Sequence, residues 1–259
     1  MSKIQYLFVC GDIHAEWGKF NIFLNKIRQN KKIRNDINNG NDVEVIVLQV
    51  GDFGWWPHFH GRKFSSKDSN NFDQFGIKNE FIGIKNDRIK IIWCPGNHEN
   101  HDDLESIEKN ATDRFIELMP NVFYATFGSI YKLNNGKKIM FCGGASSIDK
   151  NFRIPGESWW AGETISESDM MKLPEIQKID IIISHTCPTK FNKMMNFSVY
   201  YDCSQKALDY IFENYKPNLW FFGHFHCYNK MIIDNCVATV LSNCESYQRF
   251  YEFIERIEN

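Results

Sequence analysis

The 259-residue chain has no excess of charge of one sign: 30 Lys and Arg face 32 Asp and Glu, a formal net charge of −2. That balance argues against holding nucleic acid by bulk charge and leaves a local basic groove as the remaining route. Nor does an apolar run of membrane length open the chain: Ile4–Cys10 has seven residues, against the roughly 20 that a spanning helix needs. No small-residue cleavage site follows it, so neither a signal peptide nor a membrane partner is expected. The eight cysteines (10, 94, 142, 187, 203, 227, 236 and 244) form no C-x-x-C pair. Six lie in or beside apolar strand-like runs, where a thiol behaves as a small hydrophobe, and a chain long enough for a real core has little need of a disulfide framework. A reduced, cytoplasmic location is the expectation. The G-x-S-x-G turn of a serine-nucleophile hydrolase is missing. So is any repeat, linker or compositional break, and a single domain over residues 1–259 is expected.

What is present is ordinary globular composition, 43% hydrophobic and 24% charged, with many aromatics (22 Phe, 10 Tyr, 7 Trp). Short apolar runs at Ile4–Cys10, Val43–Val50, Ile89–Cys94, Ile139–Cys142, Ile179–Ser184 and Leu219–Phe222 read as buried strands. Val122–Phe127, Ser129–Leu133, Val237–Ser242 and Phe250–Ile254 read as strands of a less regular sheet. Helical spacing marks Ala15–Gln29 through Trp17, Phe20, Leu24 and Ile27. It marks Asp202–Asn214 through Ala207, Leu208, Ile211 and Phe212, with Pro217 as the stop, and more weakly Asp73–Lys85. Asn30–Asp42 and His58–Asn71 read as surface loops. The pattern implies a layered α/β domain.

The polar residues concentrate where these strands end. The first run ends in Gly11-Asp12-Ile13-His14, the second in Gly51-Asp52-Phe53-Gly54, and the third in Pro95-Gly96-Asn97-His98-Glu99. Ile181–Ile183 ends in Ser184-His185, and Leu219–Phe222 in Gly223-His224-Phe225-His226. Sites in open α/β sheets form outside the carboxyl ends of strands, and a glycine before the ligand lets the chain exit tightly. Each piece alone is an ordinary turn or loop. Five in order, holding five of the eight histidines, are hard to explain by packing. Oxygen and imidazole donors without thiolate favour a catalytic Mn, Fe or Zn site, manganese first. On an extended strand His-x-His would put both rings on one side, one for each of two ions, with a carboxylate such as Asp52 bridging them.

The order D-x-H, G-D, G-N-H-E, a single His and G-H-x-H, over residues 10–226, resembles the calcineurin-like metallophosphoesterase superfamily, in its small bacterial and phage-type members. The resemblance implies an α/β fold, a double β-sheet sandwich flanked by helices in four layers. It implies two divalent metal ions, the first held by Asp12, His14 and His226, the second by Asn97, His185 and His224, with Asp52 bridging. His98 matches the histidine that faces the substrate phosphate and leaving group without binding metal. The activity implied is phosphoester hydrolysis by a hydroxide bridging the two ions, with no covalent intermediate. Asn97 and the ions would hold the phosphoryl oxygens, and His98 would protonate or hydrogen-bond the leaving oxygen. A phosphodiester of nucleotide or nucleic-acid type is slightly favoured over a phosphomonoester. A non-catalytic scaffold of the same fold is disfavoured, because every ligand position is filled.

A second patch, Cys142-Gly143-Gly144-Ala145-Ser146-Ser147-Ile148-Asp149 followed by Arg153, Gly156, Ser158-Trp159-Trp160 and Glu163, is similar to a segment of those small members. Arg153 reads equally as a phosphate clamp and as the structural partner of Glu163 with Trp159 and Trp160 as packing. Members resembling the Ser/Thr protein phosphatases carry G-D-x-x-D-R-G after the second strand. Here Phe53-Gly54-Trp55-Trp56 follows Asp52, which argues against phosphoprotein phosphatase activity and leaves Glu99 or Asp149 to orient His98. Trp55, Trp56 and Phe59 offer π faces for a base, with core or sheet-edge packing the more ordinary role. Lys31-Lys32-Ile33-Arg34 reads as a solvated helix end rather than a nucleic-acid contact. His58, His60 and His101 read as free surface residues rather than parts of the site rim. The residues do not specify an oligomeric state.

Overall fold

A computed structural model describes residues 2–55, 88–197 and 202–258, together with the backbone of 58–59 and 62–63. Along the chain run β1 (Lys3–Cys10), α1 (Trp17–Arg28), α2 (Lys31–Asn38), β2 (Asp42–Gln49), β3 (His58–Phe59), β4 (Arg62–Lys63), β5 (Ile89–Trp93), α3 (His101–Asn110), β6 (Phe115–Met119) and β7 (Val122–Ala125). There follow β8 (Ser129–Lys132), β9 (Lys138–Cys142), α4 (Glu167–Met171), β10 (Ile181–Ser184), α5 (Thr189–Met194), α6 (Cys203–Tyr215), β11 (Leu219–Phe222), β12 (Asn229–Ile233), β13 (Cys236–Val240) and β14 (Tyr251–Glu258).

Two six-stranded sheets result, ordered β14-β1-β2-β5-β7-β6 and β12-β13-β11-β10-β9-β8. Each has four parallel strands at its centre and an antiparallel strand at either edge. The central strands are apolar on both faces because each face packs against something. In β1, Leu7 and Val9 point between the sheets, where they meet Leu48, Phe141, Ile183 and Phe221. Ile4, Tyr6 and Phe8 point outward against Phe20, Phe23 and Leu24 of α1, Ile33 of α2 and Leu104 of α3. The outer face of the second sheet, with Met140, Ile182, Trp220 and Phe222, is covered by Phe191 of α5 and by Leu208, Ile211 and Phe212 of α6. The four expected layers are present: helices, sheet, sheet, helices.

Several local readings need correction. Residues 31–38, within the stretch read as a loop, form α2. The Asn30 side chain caps it by accepting from the Lys32 and Ile33 amides at 3.0 and 3.3 Å. Asp36 ties it to the sheet by accepting from the Tyr6 hydroxyl at 2.5 Å and from Arg256 Nε at 2.8 Å. Its apolar face is only Ile33 and Ile37, too narrow for a visible period. Lys31 and Lys32 are solvated in its first turn. The loop read over His58–Asn71 contains the β3–β4 ribbon. Edge strands β6 and β12 escape sequence reading because they are half-exposed and carry polar residues, as edges do. The helix expected at Asp73–Lys85 lies outside the described residues, as do Trp56, His60 and the side chains of His58 and Phe59.

If the cap holds α2, Asn30→Ala should cost about 1 kcal/mol and lower Tm by roughly 2–4 °C in calorimetry. Asn30→Ser should cost little, and an unchanged melting curve for the alanine variant would contradict the assignment.

Candidate metal centre

β1, β2 and β5 are neighbours in one sheet and β10 and β11 in the other, so five parallel strands deliver their carboxyl ends to one place. Their exits are stitched together: the Ile13 and His14 amides donate to the Asp52 carbonyl at 3.0 and 2.8 Å, and the Gly223 amide to the His185 carbonyl at 2.9 Å. Four of the exiting residues lie in the left-handed region, His14 (φ 50), Asp52 (φ 52), His224 (φ 69) and His226 (φ 50). Non-glycine residues adopt this conformation rarely, and such outliers gather at functional sites. The preceding glycines are required by close approach. A Cβ on Gly223 would lie 1.9 Å from Asp12 Oδ1, and one on Gly96 would lie 2.2 Å from Asp52 Oδ1.

All seven expected metal donors meet there, in two groups. In the first, His226 Nε2 lies 3.0 Å from His14 Nε2 and 3.2 Å from Asp12 Oδ2. With Asp52 these residues offer four donor atoms within 4.8 Å of one another. In the second, Asn97 Oδ1 lies 3.0 Å from both His185 Nε2 and His224 Nδ1. Asp52 Oδ2 belongs to both, 3.6 Å from His14 Nε2 and 3.2 Å from His185 Nε2. The other oxygen, Oδ1, accepts from the His98 amide at 2.9 Å. The His185 Nδ1–H donates to the Val50 carbonyl at 3.0 Å, which leaves Nε2 as the ring's donor atom toward the site. His224 and His226 follow β11 in a left-handed turn rather than an extended strand, so their rings diverge to different groups by turn geometry and not by strand alternation.

The electrostatics ask for a cation. Asp12 and Asp52 are buried. Burial opposes ionisation of Asp52, yet the adjacent His185 above all holds it well below the usual carboxylate range. Burial likewise opposes charge on His185, but Asp52 and Asp12 push it up to about 10. The Asp12 hydrogen bond raises His226. Burial, reinforced by His185, lowers His224 to about 4. Hard oxygen and imidazole donors around two buried aspartates, Asp52 held ionised, fit divalent cations.

Beside these groups lies a cavity of about 380 Å³, lined among others by His98, Arg153, Asp149, Asp202, Gln205 and Phe225. Among the described residues, Arg153 reaches His98: its Nη2 lies 2.7 Å from His98 Nε2, and its Nε pairs with Asp149 at 2.8 Å. A guanidinium only donates, so His98 Nε2 accepts and the neutral ring carries its proton on Nδ1. Burial, with Arg153 adding, lowers His98 to about 4 against the pull of Asp52. Of the two residues suggested to orient His98, Asp149 acts through Arg153. The Glu99 carboxylate instead accepts from the Gly54 and Gly96 amides at 3.0 and 2.5 Å, and burial followed by Asp52 pushes it up to about 8.

The alternative pairing of Arg153 with Glu163 is replaced by the contact with Asp149. Glu163 is buried and accepts from the Ser147 amide at 2.8 Å and the Ser147 hydroxyl at 2.6 Å, while Trp160 packs in the interior. His101 is not a free surface residue. It is buried in the first turn of α3 and donates to the Gly96 carbonyl at 2.9 Å, with burial lowering its pKa to about 4. Trp55 packs near Trp93 and donates to Asp103 at 2.7 Å, which is the packing role. Among the described residues, Phe225, stacked on Phe197 at 4.1 Å between centroids, lends an aromatic ring to the cavity lining.

Two supports went unread in the sequence. Gln49 bridges the first exits, donating to the Gly11 and Gly51 carbonyls and accepting from the Gly51 amide. Ser147 accepts from Asn97 Nδ2 at 2.9 Å. A glutamine among the hydrophobic residues of β2 was the available signal for the first. The second depends on a contact 50 residues apart.

The family model described as calcineurin-like phosphoesterase matches residues 6–228. Similar solved structures include the phosphopantetheinyl hydrolase of Mycobacterium tuberculosis, 13% identical with a TM-score of 0.48 over 98% of this chain and 97% of that one. GAP50, the anchor in the inner membrane complex of Plasmodium, is 9% identical with a TM-score of 0.45 over 95% and 74%. A putative 5'-nucleotidase from Staphylococcus aureus is 10% identical with a TM-score of 0.42 over 93% and 49%. No curated protein matches the chain. No helix among the described residues is long and apolar enough to cross a membrane.

Gly96→Ala should displace Asp52 and lower divalent-metal uptake by at least about tenfold in calorimetric titration, and wild-type uptake would contradict the close-approach argument. The histidines also set an acid limit. His98, His101 and His224, lowered from 6.5 to about 4, stabilise the fold fully above pH 6.5, and that contribution is lost as pH falls through about 4. Chelator-treated protein should therefore melt lower at about pH 4.5 than at about pH 6.5. An equal or higher Tm at the lower pH would contradict the neutral, buried rings.

Proposed function

The chain belongs to the calcineurin-like phosphoesterase family, and from that premise we propose that it is a dinuclear-metal-dependent hydrolase of a nucleotide-type phosphodiester. The observation that carries the reading is the shared position of Asp52 Oδ2, 3.6 Å from His14 Nε2 in one donor group and 3.2 Å from His185 Nε2 in the other. Asp12, His14 and His226 would hold one ion, Asn97, His185 and His224 the second, and Asp52 both. Manganese is the ion proposed first, with iron or zinc as substitutes. When bound, such a pair supplies Lewis-acid activation of water and neutralises phosphoryl charge.

The chain's own residues do the rest. Arg153, with only 10% of its side chain exposed and held by Asp149, offers its guanidinium to the phosphoryl oxygens. Phosphate would draw the guanidinium from His98 and put negative charge beside the ring, which raises the histidine's pKa. His98 then takes up a proton and delivers it to the leaving oxygen. Asn97 faces the same cavity. The charge inventory favours a diester. Arg153 is already paired with Asp149, and Asp149 and Asp202 line the cavity, so the second negative charge of a monoester would meet carboxylates. Phe225 gives a base an aromatic surface at the cavity wall.

Turnover of bis-p-nitrophenyl phosphate should exceed that of p-nitrophenyl phosphate when Mn²⁺ is restored after chelation. A monoester preference would overturn the substrate reading, and no turnover of either would overturn the enzyme reading for reporters of this kind. Arg153→Ala should lose about 10²–10³-fold in kcat/KM with Tm unchanged. Retained activity with a lowered Tm would make Arg153 structural.

A further inference from the structure

An asparagine can serve a cation only through its amide oxygen, and the two ends of the amide have nearly the same shape. Something must therefore decide which end of Asn97 faces His185 and His224. The deciding contacts run away from the cavity. Asn97 Nδ2 donates to Ser147 Oγ at 2.9 Å, and the Ser147 hydroxyl donates to Glu163 Oε2 at 2.6 Å. The second oxygen of Glu163 accepts from the Ser147 amide at 2.8 Å. All three side chains are buried, at 3%, 0% and 2% exposure.

The chain of bonds has a direction. A carboxylate only accepts, so the single hydroxyl proton of Ser147 goes to Glu163. Ser147 Oγ is then an acceptor toward Asn97, and the amide must present its NH₂ to the serine. Oδ1 is left pointing at His185 Nε2 and His224 Nδ1, 3.0 Å from each. If Glu163 offered a donor in place of its acceptor, the hydroxyl would reverse. Asn97 could then satisfy it only by turning its oxygen away from the site. Glu163 is brought into place by the short 3-10 turn at Ala161–Glu163, packed by Trp160.

We propose that Ser147 and Glu163 are positioning residues that set the amide orientation of Asn97 and thereby the affinity of the second metal site. The inference rests on the reading of Asn97, His185 and His224 as that site. It separates Glu163 from Arg153 and the phosphate side of the cavity and gives it a task at the metal side instead. Glu163→Gln tests the direction with little change of shape, and Ser147→Ala removes the link.

The test is calorimetric titration of chelator-stripped protein with Mn²⁺. Wild type should take up two ions. Ser147→Ala and Glu163→Gln should each weaken the second by about 10- to 100-fold and leave the first near its wild-type affinity. An aspartate in place of Asn97 has two equivalent oxygens, so its orientation no longer matters. In an Asn97→Asp background, Ser147→Ala should cost less than about threefold, an expectation set by the loss of the orientational link. Should Ser147→Ala prove unstable, the isosteric Glu163→Gln carries the same comparison in both backgrounds. Two ions bound at wild-type affinities in both single variants would overturn the relay and leave the metal site standing. An equal loss in the wild-type and Asn97→Asp backgrounds would make the pair merely structural. Failure of wild type to bind a second ion would overturn the site reading and the relay together.

Discussion

The candidate site depends on one buried carboxylate divided between two tasks. Asp52 gives Oδ1 to the His98 amide and leaves Oδ2 between His14, from the first sheet, and His185, from the second. The two halves of the sandwich therefore share a single oxygen. A buried, ionised carboxylate is expensive unless it is paired and hydrogen-bonded, and here His185 Nε2, 3.2 Å from Oδ2, and the His98 amide supply those partners. The left-handed backbone at Asp52 and the missing Cβ at Gly96 both follow from bringing that oxygen to the point where the sheets' strand ends meet.

The sandwich explains why such a meeting point exists. Each sheet is parallel at its centre, so neighbouring strands release their chains at the same rim. The apolar layer between them, from Leu7 and Leu48 to Phe141 and Phe221, holds the two rims in register. Donors widely separated in sequence are then held by backbone bonds such as Gly223 to His185 rather than by long flexible side chains. Rigid support of this kind suits a site whose donor atoms must stay within a few tenths of an ångström.

The strongest parts of this arrangement were legible in the sequence, for physical reasons. Central strands are apolar on both faces and read as unbroken runs, and each strand end carries its expected donor in a Gly-Asp, Gly-Asn-His, Ser-His or Gly-His-x-His string. The seven expected donors and His98 can be named from those strings, and their side chains lie together at the strand ends. What was hidden has equally physical causes. Helix α2 is held by the Asn30 cap and the Asp36 contacts instead of a broad apolar stripe. Edge strands β6 and β12 are half-wet. His101 resembles any surface histidine until its bond to Gly96 is seen. The partners Ser147–Glu163 and Asn97–Ser147 are choices across 16 and 50 residues among several polar side chains, which no local pattern selects.

The central claim is that the two donor groups act as one dinuclear centre through Asp52. Electron paramagnetic resonance of the chain loaded with two equivalents of Mn²⁺ tests it most directly, because spins bridged at about 3.5–4 Å couple strongly. The spectrum of an exchange-coupled pair is expected, lost in Asp52→Asn. The six-line signal of isolated Mn²⁺ at full loading of the wild type, or a coupled pair that survives Asp52→Asn, would contradict it.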